Sequence, residues 1–80
     1  MSQYVLALDQ GTTSCRAILF DNNSSIHAVE QKEFPQIYPQ PGWVEHDAIV
    51  IWDTQLEVTQ SILKNNNVTP DQINSIGITN

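Results

Sequence analysis

Asp9-Gln10-Gly11-Thr12-Thr13-Ser14 brings together a carboxylate, a glycine and three consecutive hydroxyl residues. A carboxylate so placed can hold Mg²⁺ through water, because this ion sheds its hydration reluctantly and takes few protein carboxylates. Gly11 lets the backbone approach a phosphate closely and is able to take positive φ. Thr12, Thr13 and Ser14 offer hydroxyl and amide donors to phosphate oxygens. Arg16, two residues beyond Ser14, shares its face in an extended chain and can add a charge-assisted bond. The same spacing also describes an ordinary hairpin loop closed by an Asx turn. The preceding run, Tyr4–Leu8 (YVLAL), favours chemistry: it delivers Asp9 at the end of an apolar strand, where a carboxylate must be paired, metal-bound or solvated.

A second segment, Pro41-Gly42-Trp43-Val44-Glu45-His46-Asp47, reads structurally: Trp43 anchors a loop, Asp47 caps a helix, and Glu45 and His46 pair with neighbours. A general-base role for His46 is the less common alternative. Other nucleotide motifs are missing: there is neither a G-x-x-x-x-G-K-[ST] nor a G-x-G-x-x-G run. His27, His46 and Cys15 have no zinc spacing, and Cys15 is expected to pack as a small apolar residue.

The elements that must position these residues follow from the apolar pattern. Tyr4–Leu8 reads as a strand buried on both faces, with Asp9–Thr13 as a turn. Ser14–Phe20 (SCRAILF) is a second strand and Asp21–Ser24 a hairpin connection, followed by a third strand over Ser25–Phe34. Connections this short make an antiparallel meander. Pro35, Pro39 and Pro41 break up an ordered loop over Pro35–His46. From Asp47 a helix runs to about Lys64, with a core stripe of Ile49, Trp52, Leu56 and Leu63, widened by Ile51, Val58 and Ile62. Asn65–Asn67 ends it, and Thr69-Pro70-Asp71-Gln72 has capping-box spacing for one more turn. Ile73–Thr79 is a fourth strand, parallel to the first because a helix crosses over before it. The expected class is α/β.

With 3 Lys+Arg against 9 Asp+Glu, the net charge is -6, which argues against nucleic acid and anionic membranes as partners. A lone cysteine fits a reducing cytoplasm, and no apolar run reaches the ~18 residues of a membrane span.

The runs ALDQGTTSCRAILFD, QIYPQPGWVEHDAIVIWDTQ and INSIGITN resemble the glycerol kinases, a branch of the FGGY carbohydrate kinases. D-x-G-T-[TS] is shared with many FGGY kinases, and related loops occur across the actin-like ATPases, whereas its combination with YPxPGWVEHD is much more specific to the branch. The resemblance runs from Tyr4 to Asn80 and implies a ribonuclease-H-like fold of the actin/hexokinase/Hsp70 type. It implies that residues 1–80 are the N-terminal part of the first kinase domain, in a protein that transfers the γ-phosphoryl group of ATP to the 3-hydroxyl of glycerol. Asp9 would sit beside Mg²⁺. Thr12 would touch the transferred or β-phosphate and the product phosphate, Thr13 and Ser14 the ATP phosphates at the Gly11 turn, and Arg16 the nucleotide phosphates. Cys15 stands where the family often has Ser. The glycerol-binding Arg-Glu pair, the general-base aspartate and the adenosine pocket lie downstream in the family, so no catalytic residue is expected here. The eighty-residue chain alone is expected to be inactive, with exposed apolar surface that could drive homo-oligomerisation. The rival readings are an FGGY kinase for another sugar or polyol, a non-catalytic assembly module of the actin-like superfamily, and a truncated piece with no function of its own.

Overall fold

A computed structural model of the chain describes residues 3–11, 13–34 and 48–79. Strand β1 (Tyr4–Gln10) turns into β2 (Ser14–Phe20) and then β3 (Ile26–Glu33). Helix α1 (Ala48–Asn65), a single 3-10 turn (Pro70–Gln72) and β4 (Ile73–Thr79) complete the order. The sheet runs β3-β2-β1-β4. Its first three strands are antiparallel and β4 lies parallel to β1, as expected for a hairpin meander closed by a helical crossover.

Strand alternation divides the sheet into two unlike faces. Leu6 of β1 stands opposite Leu19 of β2, and Leu8 opposite Ala17. With Cys15, these residues meet Val58 and Ile62 of α1 in the main core, joined by Phe34 and Val68. Cys15 is fully buried, as expected of a small apolar residue, and burial pushes its thiol pKa up. The other face carries Val5, Ala7 and Asp9 of β1 opposite Phe20, Ile18 and Arg16 of β2.

The helix is where the observed packing departs most from the expected stripe. Its buried residues are Thr54, Gln55, Val58 and Ile62, with Val50, Ile51 and Leu63 packed at the margin. Ile49 and Leu56 are exposed, and Trp52, expected in the core, is 64% exposed. The Ile49/Trp52/Leu56 stripe lies roughly a third of a turn around the helix from the buried one, at 3.6 residues per turn. The helix therefore has two apolar flanks, and only one meets the sheet. Thr54 can enter the interface because a backbone carbonyl accepts its proton, Oγ1 donating to the Val50 oxygen at 2.7 Å, whereas Gln55 is buried with its Oε1 unpartnered among the described residues. Gln55 Nε2 donates to the Arg16 oxygen at 3.4 Å.

Two strand expectations change as well. β1 extends through Asp9 and Gln10, because these residues still pair with Arg16 and Cys15. It is buried on one face only: Leu6 is 2% exposed while Val5 is 37% exposed. β4 has exposed isoleucines at Ile76 and Ile78, since α1 lies over β2 and β3 and barely reaches β1.

Helix α1 stops as its sequence directs. Asn67 takes a left-handed φ of 55°. The Val68 N–H then donates back to the Leu63 oxygen at 2.9 Å and that of Asn67 to the Lys64 oxygen at 3.3 Å. This is the paired bonding of a Schellman end. After it, the Thr69 N–H donates to Gln72 Oε1 at 2.9 Å, the reciprocal arm of a capping box. The expected loop at Pro35–His46 and the cap at Asp47 lie outside the described residues.

Candidate phosphate-binding site

At the carboxyl ends of β1 and β4, the face away from α1 becomes polar. Register places Thr79 beside Asp9, Asp9 beside Arg16, and Arg16 beside Gln31, a row across all four strands. Arg16 Nη2 donates to Asp9 Oδ2 at 2.7 Å, an ion pair as well as a hydrogen bond. Thr79 Oγ1 donates to the other carboxylate oxygen, Oδ1, at 3.1 Å. The bond from Arg16, and after it the one from Thr79, hold the Asp9 carboxyl below the usual carboxylate range, against a slight upward push from burial.

The turn itself is tight. The Gly11 N–H donates to the Ser14 oxygen at 2.8 Å, and the Phe34 N–H donates to the Thr13 oxygen at 3.0 Å, tying the turn to the end of β3. Gly11 does not use the left-handed region, and a Cβ there would lie 3.4 Å from the Ser14 oxygen, an ordinary contact, so neither backbone conformation nor crowding within the described residues requires glycine here. Ser14 Oγ accepts a proton from Gln31 Nε2 at 3.1 Å. Thr12 lies outside the described residues, as do Trp43, Glu45, His46 and Asp47.

The second hairpin connection shows what an Asx turn looks like in this chain. Asp21 Oδ1 accepts the N–H groups of Asn23 at 2.9 Å and Ser25 at 3.1 Å. Ser24 takes a left-handed φ of 63° within that turn. Asp21 is thus used up in closing its own loop. Asp9 is directed onto the sheet instead, where partners from β2 and β4 hold it.

Asp9, Arg16 and Ser14 are therefore brought onto one face, with Gly11 and Thr13 in the adjoining turn. The sequence reading missed Thr79 and Gln31. Alternation was the available signal: Ser75, Gly77 and Thr79 share one face of β4 while Ile76 and Ile78 share the other. Among the described residues no cluster of three or more His, Cys, Asp or Glu could cage a metal. Asp9, a carboxylate on this face, fits Mg²⁺ by type, since that ion commonly takes one or two carboxylates and completes its shell with other oxygens. Among the described residues, no helix is long and apolar enough to cross a membrane.

A mixed sheet in which β1 runs into a hydroxyl-rich turn and a helix crosses over to a parallel β4 is an α/β arrangement, and comparison narrows the class. The N-terminal domain of the FGGY family of carbohydrate kinases matches residues 4–80, and the chain belongs to that family. It is 64% identical over 80 residues to a glycerol kinase of Desulfitobacterium hafniense, covering 100% of this chain and 16% of that one. The glycerol kinase of Janthinobacterium sp. is 59% identical over 80 residues, again 100% of this chain and 16% of the relative. The chain thus spans about 16% of the length of these curated relatives.

Solved structures agree on the fold. A gluconate kinase from Lactobacillus acidophilus superposes with a TM-score of 0.86 at 25% identity, over 99% of this chain and 15% of that one. Plasmodium falciparum glycerol kinase with ADP superposes with a TM-score of 0.83 at 28% identity, over 99% of this chain and 16% of that one. The mixed sheet and crossover helix are the N-terminal portion of the ribonuclease-H-like kinase fold.

Proposed function

We propose that this segment supplies the phosphate-binding turn of an ATP-dependent glycerol kinase, forming the first part of its phosphate-binding domain. The observation that carries the reading is Asp9, whose carboxylate is held on the sheet by Arg16 and Thr79 while Asp21 closes its own turn. A carboxylate kept ionised and oriented at the end of a parallel strand pair suits a phosphoryl-transfer site.

In this reading Thr12, Thr13 and Ser14 bind phosphate oxygens, with Thr12 nearest the transferred group. Gly11 admits the phosphate to the backbone. Arg16 shares its guanidinium between Asp9 and the nucleotide phosphates. Bound Mg²⁺ would offset developing phosphate charge, with Asp9 holding it through water. Glycerol as acceptor rests on the names of relatives at 59% and 64% identity. The fold similarity alone extends to kinases of gluconate and xylulose. A cytoplasmic location fits the buried free thiol of Cys15.

The test uses a kinase of family length that begins with this segment. It should produce ADP with glycerol and not with gluconate or xylulose. Asp9→Asn should lower kcat far more than it raises the KM for glycerol, because charge stabilisation is greatest in the transition state. Thr12→Ala removes one donor to a charged oxygen, a loss of about 1.5–3 kcal/mol, or roughly tenfold to a hundredfold in rate. Near-normal kcat with a lowered Tm in both variants would defeat the assignment. Phosphoryl transfer depends on positioning between assembled parts, so the eighty-residue chain alone should show no glycerol-dependent ADP production.

A further inference from the structure

We propose that Gln31, on the flanking strand β3, is a positioning residue that sets the direction in which Ser14 offers its hydroxyl proton. This inference rests on the reading of Ser14 as a phosphate ligand and adds a residue of another strand to that site.

Gln31 and Ser14 share the sheet face away from α1. Register pairs Gln31 with Arg16 and Glu33 with Ser14, which makes Gln31 and Ser14 diagonal neighbours within side-chain reach. Gln31 Nε2 donates to Ser14 Oγ at 3.1 Å. A serine hydroxyl has one proton and two acceptor lone pairs. With the amide donating into one lone pair, the hydroxyl proton cannot also point at that amide, so it is offered away from it. An anion at the turn meets a donor whose orientation is already set, and less freedom is lost when it binds.

The side-chain type matters. An amide can donate and brings no charge. A glutamate of the same size would act as an acceptor, drawing the Ser14 proton towards β3 and away from the turn. It would also place a negative charge near the phosphate. These two effects can be separated, because only the first needs the Ser14 hydroxyl.

The experiment is a double-mutant cycle in the family-length kinase, reading the KM for MgATP, kcat and Tm for Ser14→Ala, Gln31→Glu, Gln31→Leu and the Ser14→Ala/Gln31→Glu pair. Ser14→Ala should raise the KM roughly tenfold to a hundredfold, the scale of one hydrogen bond to a charged group. Gln31→Glu should raise it comparably, and most of that effect should vanish in the Ser14→Ala background. Gln31→Leu, which removes the donor and adds no charge, should give a smaller rise with little change in kcat.

Two results would overturn the inference and leave the phosphate reading standing. One is a raised KM in Ser14→Ala with both Gln31 variants at the wild-type value. The other is a Gln31→Glu effect of equal size in both backgrounds, which would mark charge repulsion alone. A fall in Tm with unchanged KM would show a purely structural bond and also overturn it. An unchanged KM in Ser14→Ala would remove the phosphate reading at this residue, and the inference with it.

Discussion

The two hairpin connections of this sheet both follow an aspartate, yet the chain uses the two carboxylates in opposite ways. Asp21 accepts the backbone N–H groups of Asn23 and Ser25 and so closes the β2–β3 turn locally. Asp9 faces the sheet, bound by Arg16 from β2 and Thr79 from β4, residues 7 and 70 positions away in sequence. The first is a self-contained turn whose worth is stability. The second is an assembled site, because β4 must be docked before Thr79 can reach Asp9. What separates them is where each strand ends: β1 continues through Asp9 into Gln10, while β2 stops at Phe20, one residue before Asp21.

The largest effect that would sharpen this contrast comes from Arg16. In the family-length kinase, Arg16→Met should raise the KM for MgATP roughly tenfold to a hundredfold, since the proposed function makes Arg16 a charged donor to phosphate. The same change leaves Asp9 without its cation. The Asp9 carboxyl is held below its ordinary range, so the pair's contribution is fully present above that range and is lost as pH falls through the depressed value. The Tm difference between wild type and Arg16→Met should therefore persist at neutral pH and shrink below about pH 4. A difference that grew on acidification would contradict the pairing.

Asp21→Ala should have the intermediate effect and a different kind of one. Two backbone donors lose their acceptor in an exposed turn, where water replaces it in part, so about 1 kcal/mol of stability is at stake. Turnover per folded molecule should stay at the wild-type value. Loss of activity at full stability would erase the distinction between the turns.

The smallest effect belongs to Lys32 and Glu57, which join β3 to α1 by an exposed ion pair at 2.7 Å. Lys32→Gln should cost under about 1 kcal/mol, and less at high salt. A larger loss in urea unfolding would mean that this pair, and not the apolar core beneath it, holds the helix to the sheet.

Most of the fold was legible because its signals are local. Short connections dictate the antiparallel meander, and Asn67 with the Thr69–Gln72 capping box marks the helix end and the turn that follows it. The buried side of α1 was not legible, because this helix is apolar on two flanks. A hydrophobic stripe reports that something covers a flank without saying which partner does, so Trp52 was assigned to the core and stands exposed. Thr54, polar by type, packs inward because the Val50 carbonyl accepts its proton, a condition that periodicity cannot register, and Gln55 is buried with only its Nε2 bonded. At the site, Asp9, Gly11, Thr13, Ser14 and Arg16 cluster in sequence and were visible as a motif. Thr79 and Gln31 join them only through strand register, and register is a property of the folded sheet.

In the proposed function the β1–β2 turn receives phosphate and the β2–β3 turn does not. Titrating MgADP into the isotopically labelled, family-length kinase, with backbone amide shifts followed by NMR, tests it most directly. The amides of Gly11, Thr13 and Ser14 should move in a saturable way, while those of Asn22, Asn23 and Ser25 stay where they are. Saturable movement at Asn22, Asn23 and Ser25 with none at Gly11, Thr13 and Ser14 would place phosphate at the other turn and overturn the assignment.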